Sequence, residues 1–309
     1  MKGFQKYNTE DVSMKEITAK MNDQEKSTLF EDKVEIFLKE KGLTVKKLSK
    51  KQGTSDLFCE EIGCIECTMR RKGDSIDGIS STFWAVNDCS FKKTSEITQK
   101  KVVDFLAQRY LSGLWAKDEQ FQKHIQNNKQ EIIYPRLVCL TFDVSDLPRE
   151  YHHNDWHEDA LLKALYGIDG AKCVIQNNTR FYCKDNAKII KLNKEGQPCP
   201  LESSFFTTNK TISAVLFVYP ELLHKINGND FENIRITMCD EKIKDVKLQT
   251  SDFLLFINPN AEKPLNQEQL SCFERMGIKF FNQEIGVFNF NYDQSIVEVY
   301  QLTKERWKK

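Results

Sequence analysis

Residues 53–68, GTSDLFCEEIGCIECT, decide the fold. A Gly-Thr-Ser turn delivers Asp56 to the start of an apolar run ending at Cys59; after the acidic turn Glu60-Glu61, a second run extends from Gly63 to Thr68. Turn residues on both sides make each run a strand, 56–59 and 63–68. Glu66 stands inside the second strand, between Ile65 and Cys67, in otherwise apolar or sulfur-bearing surroundings. Burying a carboxylate without a partner is costly, so a metal, an arginine or a ligand is expected beside it. Asp56 has a plainer alternative role, because it follows a turn that its side chain would cap.

Outward from this hairpin the chain reads as alternating helices and strands. Asn22 with Glu25 three positions later is a helix-start signal, and Leu29, Phe30, Val34, Ile36, Phe37 and Leu38 supply a buried stripe that Gly42 terminates. A short β segment is expected over 43–48. On the other side, 72–87 is rich in Gly, Ser and Asp and reads as a loop. A helix over 95–111 follows, with Ile97, Val102, Phe105, Leu106 and Tyr110 as its apolar positions, then a polar helix over 117–128. RLVCLTFDV (136–144) has the length and composition of a central buried strand. Beyond a connection at 145–153 come a helix over 155–166 and strands at 212–219, 234–239, 252–258 and 286–292.

Two carboxylates at the ends of adjacent strands can chelate one hard divalent cation, which takes oxygen ligands and, for magnesium, keeps several waters. Such a cation lowers the pKa of a bound water and neutralises phosphate charge during in-line attack. Asp56 and Glu66 are the candidate pair, and Glu31 on the preceding helix is a third carboxylate able to orient a water or a second ion.

The run FEDKVEIFLKEKGLTV (30–45), then GTSDLF (53–58), then CIECT (64–68), resembles the PD-(D/E)XK nuclease superfamily. The resemblance implies a restriction-endonuclease-like core of helix, three strands, helix and strand over 22–148, within an α/β fold whose mixed central sheet is flanked by helices. It makes Asp56 and Glu66 the ligands of Mg2+ or Mn2+, and Glu31 the acidic residue of the first helix. It also implies phosphodiester hydrolysis of nucleic acid, DNA above all, with a homodimer as one way to cut a duplex, and by analogy alone a role in defence against foreign DNA. The family places lysine two residues after the second carboxylate; Thr68 stands there in this chain. Some relatives carry the lysine on the following helix, where Lys100 and Lys101 are the candidates. The alternative is a nuclease-like scaffold that has lost the reaction and binds nucleic acid or a protein partner.

The second half resembles, more loosely, segments of bacterial proteins that join a nuclease-like core to a C-terminal α/β extension, through ALYG (164–167), FFTTNKTISAVLFVY (205–219) and FINPNAEKPL (256–265). The expected organisation is an N-terminal arm (1–21), the core (22–148) and an extension (149–309) packed on it. Competing chemistry is thin. His153 and His157 are four apart, as zinc ligands on one helix face can be, but Asn154 stands where a metalloprotease has glutamate. Cys64 and Cys67 form one CxxC, without the second pair of a zinc ribbon, and on a strand they point to opposite faces. GxSxG, GxxxxGK[ST] and GxGxxG motifs do not occur.

The 309 residues balance 45 basic against 45 acidic side chains, so wholesale coating of nucleic acid is not expected. Charge is uneven, with six lysines between Lys39 and Lys51 and a second basic cluster at Arg70, Arg71 and Lys72. No apolar run is long enough to span a membrane, the N-terminus is polar, and the dilute cysteines read as reduced, packed thiols, all of which suggest a cytoplasmic protein.

Overall fold

The computed structural model describes residues 22–48, 55–71, 91–127, 133–145, 147, 149–167, 173–176, 179–182, 189–192, 198–201, 204–225, 233–237, 246–282 and 287–289. The expected N-terminal arm, the 72–87 loop and the end of the 286–292 strand lie outside them.

Helix α1 (Asp23–Glu40) starts where the capping signal places it. Asn22 Oδ1 accepts from the amides of Gln24 and Glu25 at 3.0 Å, and Glu25 Oε2 accepts from the Asn22 amide at 2.8 Å. Phe30, Val34, Phe37 and Leu38 are buried, but Ile36 is 47% exposed, which corrects its place in the expected stripe. Positions 30, 34, 37 and 38 share one helix face, and position 36 falls off it.

Strands β1 (Val45–Lys47), β2 (Leu57–Cys59) and β3 (Gly63–Arg70) form an antiparallel meander. Leu57 lies opposite Ile65, and continuing that register sets Asp56 opposite Glu66. Gly63 is required at the start of β3, because its φ is +114° and a Cβ there would lie 2.4 Å from the Pro135 carbonyl oxygen. The Cys64 amide donates to that same carbonyl at 2.9 Å, seating β3 beside β4 (Arg136–Phe142).

Helix α2 (Phe91–Asn127) is one element of 37 residues where two helices, 95–111 and 117–128, were expected. The intervening Ser112-Gly113-Leu114-Trp115-Ala116 contains no proline, and buried Leu111 and Leu114 hold the helix to the core across the glycine. The remaining helices are α3 (Asn154–Tyr166), the single turn α4 (Phe205–Thr208) and α5 (Gln267–Met276).

The later strands are β5 (Cys173–Gln176), β6 (Thr179–Tyr182), β7 (Ile189–Leu192), β8 (Pro198–Leu201), β9 (Ala214–Val218), β10 (Glu221–Lys225), β11 (Asn233–Thr237), β12 (Phe253–Ile257), β13 (Lys279–Asn282) and β14 (Val287–Asn289). The main sheet has the order β1-β2-β3-β4-β9-β12-β13-β14-β6-β5, and its first seven strands form the body. β3, β4 and β9 run parallel, and β12 is antiparallel to β9, so the sheet is mixed. Because β9 pairs directly with β4, residues beyond 149 extend the first half's sheet.

Helices cover both faces, as the α/β class requires. Val138, Leu140, Phe142, Val215 and Phe217 pack toward α2 and α3. Leu137, Cys139, Leu216 and Val218 pack toward α1 and α5. The alternation sends Cys64 to the first layer and Cys67 to the second, so the CxxC pair is divided by the sheet.

Candidate active site

At the edge of β3 a cleft of about 390 Å³ opens between α1 and α2, with Glu31, Asp56, Thr68, Lys117, Gln120 and His124 among its lining residues. The extended register delivers Asp56 and Glu66 here from neighbouring strands. Asp56 Oδ2 is fixed by the Cys67 amide, which donates to it at 2.8 Å. Glu66 is fully buried. Its Oε2 accepts from Lys117 Nζ at 2.7 Å, while its buried Oε1 accepts no hydrogen bond.

Lys117 descends from α2 between the two carboxylates. Its ammonium lies 3.9 Å from Asp56 Oδ2 and also donates to Gln120 Oε1 at 3.1 Å. His124 Nδ1 is 3.5 Å from Glu66 Oε1. Lys117, Gln120 and His124 are spaced i, i+3 and i+7, so one face of α2 presents all three.

Burial pushes the Glu66 carboxyl up to about 8; Lys117 pulls against that rise and Asp56 adds to it. Burial also works against the charge of Lys117, but the Glu66 and Asp56 carboxylates outweigh it and hold the ammonium above its ordinary range. The proton therefore stays on Lys117, and Glu66 is the group under electrostatic stress.

The residues singled out from sequence divide sharply. Glu31 is buried at the cleft, with Lys47 Nζ 3.9 Å from its Oε2. Asp56 and Thr68 line the same cleft, and Glu66 is buried beside it under Lys117. Lys101 lies elsewhere: it is exposed, and it precedes Lys117 by roughly 24 Å of helix at 1.5 Å per residue. The side chain of Lys100 lies outside the described residues. The lysine that reaches the carboxylates is Lys117, a residue of the polar helix expected over 117–128. The signal lay in the periodicity, since KDEQFQKH carries its Lys, Gln and His on one face.

Other sequence candidates fall away. His157 is buried and both its ring nitrogens are bonded within the core, whereas His153 is the exposed N-cap of α3. The Cys67 thiol is raised well above its ordinary pKa by its hydrogen bond to Cys139 and by burial, which keeps it protonated and unreactive. Three lysines of the basic run are ion-paired within the chain, Lys39 with Glu35, Lys46 with Glu60 and Lys47 with Asp32.

Among the described residues no three His, Cys, Asp or Glu side chains gather as a metal cage, and no helix is long and apolar enough to cross a membrane. The fold and site thus define a mixed α/β protein with a buried carboxylate–lysine cleft at the rim of its sheet. No family model matches the chain, and no match was found among curated proteins or solved structures.

Proposed function

We propose that the cleft hydrolyses phosphodiester bonds of nucleic acid in the manner of the PD-(D/E)XK nucleases, with Mg2+ or Mn2+ held by Asp56 and Glu66. The observation that carries this reading is Lys117, whose ammonium sits 2.7 Å from Glu66 Oε2 and 3.9 Å from Asp56 Oδ2. Thr68 removed the lysine expected on the strand, and α2 returns one to the same two carboxylates. The order α1-β1-β2-β3-α2-β4 also follows the helix, three strands, helix and strand of that core.

The residues present fit a hard divalent cation. Glu31 and Asp56 line one cleft, and beside it the fully buried Glu66 has an oxygen, Oε1, that accepts no hydrogen bond. A partial set of protein oxygens completed by water and substrate suits magnesium better than a closed protein cage does. When bound, the cation supplies a polarised water and neutralises charge on the phosphate. Lys117 brings a fixed positive charge to where negative charge develops, and Gln120 holds its ammonium in place. Glu31 and the Thr68 hydroxyl line the same cleft as groups able to orient water.

Titration calorimetry with Mg2+ and Mn2+, run beside a cleavage assay on single-stranded and duplex DNA and RNA, tests this reading. Wild type should bind and cleave; Glu66→Ala should lose both, and Asp56→Ala should fall in rate by about a thousandfold or more, as expected when a main electrostatic group is removed. Metal-independent cleavage, or activity that survives in both variants, would remove the proposal. A protein that binds nucleic acid without cleaving it would instead be the scaffold.

A further inference from the structure

Further along β3, Arg70 lies on the same face as Glu66 and Thr68, and Arg71 and the helix residue Arg109 lie close enough to act on its charge. Arg70 Nε donates to the Arg109 carbonyl at 3.1 Å, and Arg109 Nε donates to the Arg71 carbonyl at 2.9 Å. Arg71 pairs with the Asp23 carboxylate and donates to the Asp23 carbonyl at 2.8 Å. The buried Arg71 Nε has no hydrogen-bond partner. Among the described residues Arg70 pairs with no carboxylate, so Asp23 is the acid that this part of the cluster holds.

Three guanidiniums held together repel one another. Burial, then Arg109, then Arg71 lower the Arg70 pKa to about 10, far from its ordinary value. The helix is also shaped to admit this arrangement. Arg70 lies against Gly113, where a Cβ would stand 2.6 Å from its Cδ and 2.8 Å from its Nε. Glycine inside a helix is costly relative to alanine. Arg70, held against that glycine and pairing with no carboxylate among the described residues, is the member of the cluster placed to meet an anion.

The position of the cluster indicates which anion. Arg70 lies four residues beyond Glu66 on one strand face, roughly 13 Å along β3. Asp23, which Arg71 grips, directly precedes Gln24 in the lining of the cleft. The cluster therefore adjoins the cleft that holds the carboxylates, at the N-terminal end of α1. At roughly 3.4 Å rise per nucleotide of a duplex strand, the separation is a few phosphates.

We infer that Arg70, Arg71 and Arg109 form a phosphate-binding rim that grips the backbone of a nucleic-acid strand a few nucleotides from the carboxylates. This rests on the cleft being a nucleic-acid site, though not on its being catalytic. The planar guanidinium fork suits phosphate oxygens, and such contacts carry affinity without sequence preference. The rim, rather than the internally paired Lys39, Lys46 and Lys47, is then the basic surface that meets the substrate.

The test is fluorescence anisotropy of a labelled 20-nucleotide DNA, single-stranded and duplex, with the full-length chain in EDTA across a salt series. Arg70→Gln and Arg71→Gln should each weaken binding and reduce the slope of log affinity against log salt by about 0.7 on single strands or about 0.9 on duplex. Arg70→Lys, which keeps the charge and the aliphatic stem over Gly113, should keep the slope and lose part of the affinity, provided that its thermal melt matches wild type. Wild-type affinity and slope in folded Arg71→Gln, or no binding by wild type, would overturn the rim. A slope that falls as expected in a protein without metal-dependent cleavage would sustain the rim and sink the nuclease.

Discussion

Two buried polar groups lie beneath α2, two turns apart on the helix, and they have opposite characters. Under Tyr110, His157 Nε2 lies 2.7 Å from the Tyr151 carbonyl, which can only accept, so Nε2 carries the proton and Nδ1 accepts from the Tyr110 hydroxyl at 2.5 Å. The rings of Phe142 and Phe217 close around this imidazole at 5.8 and 6.1 Å. Under Lys117, Glu66 is buried just as completely, yet one of its oxygens has no donor. Burial alone does not distinguish core from site. A satisfied polar network fixes the packing, whereas an unsatisfied buried group calls for a water, an ion, strain or a chemical role.

The largest effect that would break this contrast is expected at Lys117. Lys117→Met should lower cleavage by roughly a hundred- to a thousandfold, or about 3–4 kcal/mol in the barrier. Its melting temperature at pH 7 should change little, because Glu66, already pushed up to about 8 by burial, takes a proton once the ammonium is gone. A variant that melts early and cleaves normally would make Lys117 a structural counter-ion, and the cleft a second core network.

The core network should show itself in stability instead. Burial holds His157 down to about 4, with His152 and His153 lowering it slightly and its bond to the Tyr151 carbonyl opposing them. Between the unfolded value near 6.5 and about 4, the unfolded chain binds a proton that the folded chain refuses, so stability is full above the unfolded pKa and falls as pH falls. The loss should approach roughly 3 kcal/mol by pH 4. Denaturant melts of wild type and His157→Gln across this range isolate the histidine, since carboxylate titrations are common to both. Parallel pH profiles would show that His157 is not held neutral. Cleavage at pH 7.5 should not distinguish the two proteins.

The hairpin that carries the carboxylates was legible because its signals are local: a turn, two short apolar runs and one charge out of place. The start of α1 was legible for the same reason, since its capping box lies within four residues. Lys117 was missed for the opposite reason. Its role depends on α2 continuing past Gly113, and a glycine with a serine before it resembles a break unless Arg70 is known to fill the space beside it. Lys101 looked better placed because it follows the strand more closely in sequence, but at 1.5 Å per residue a straight helix takes sixteen residues to carry a lysine from there to the carboxylates. The arginine rim was equally obscure, visible only as a basic cluster, because Arg109 joins it from a different element.

The finest prediction asks whether strand and helix can exchange the lysine. Glu66 and Thr68 share the face of β3 that meets α2, and Thr68 lines the cleft into which Lys117 points. A lysine at 68 would approach the same carboxylates from the strand side. Thr68→Lys in the Lys117→Met background should therefore recover about tenfold in cleavage, or roughly 1.4 kcal/mol. In the wild-type background the same change should reduce activity several-fold, because two ammonium groups would compete beside one buried carboxylate. The sign reversal between backgrounds is the readout, and a general effect of the substitution on stability would not produce it. If the double variant stays as inactive as Lys117→Met, charge alone is insufficient, and the reach of Lys117 across Glu66 to Gln120 is what the chemistry requires.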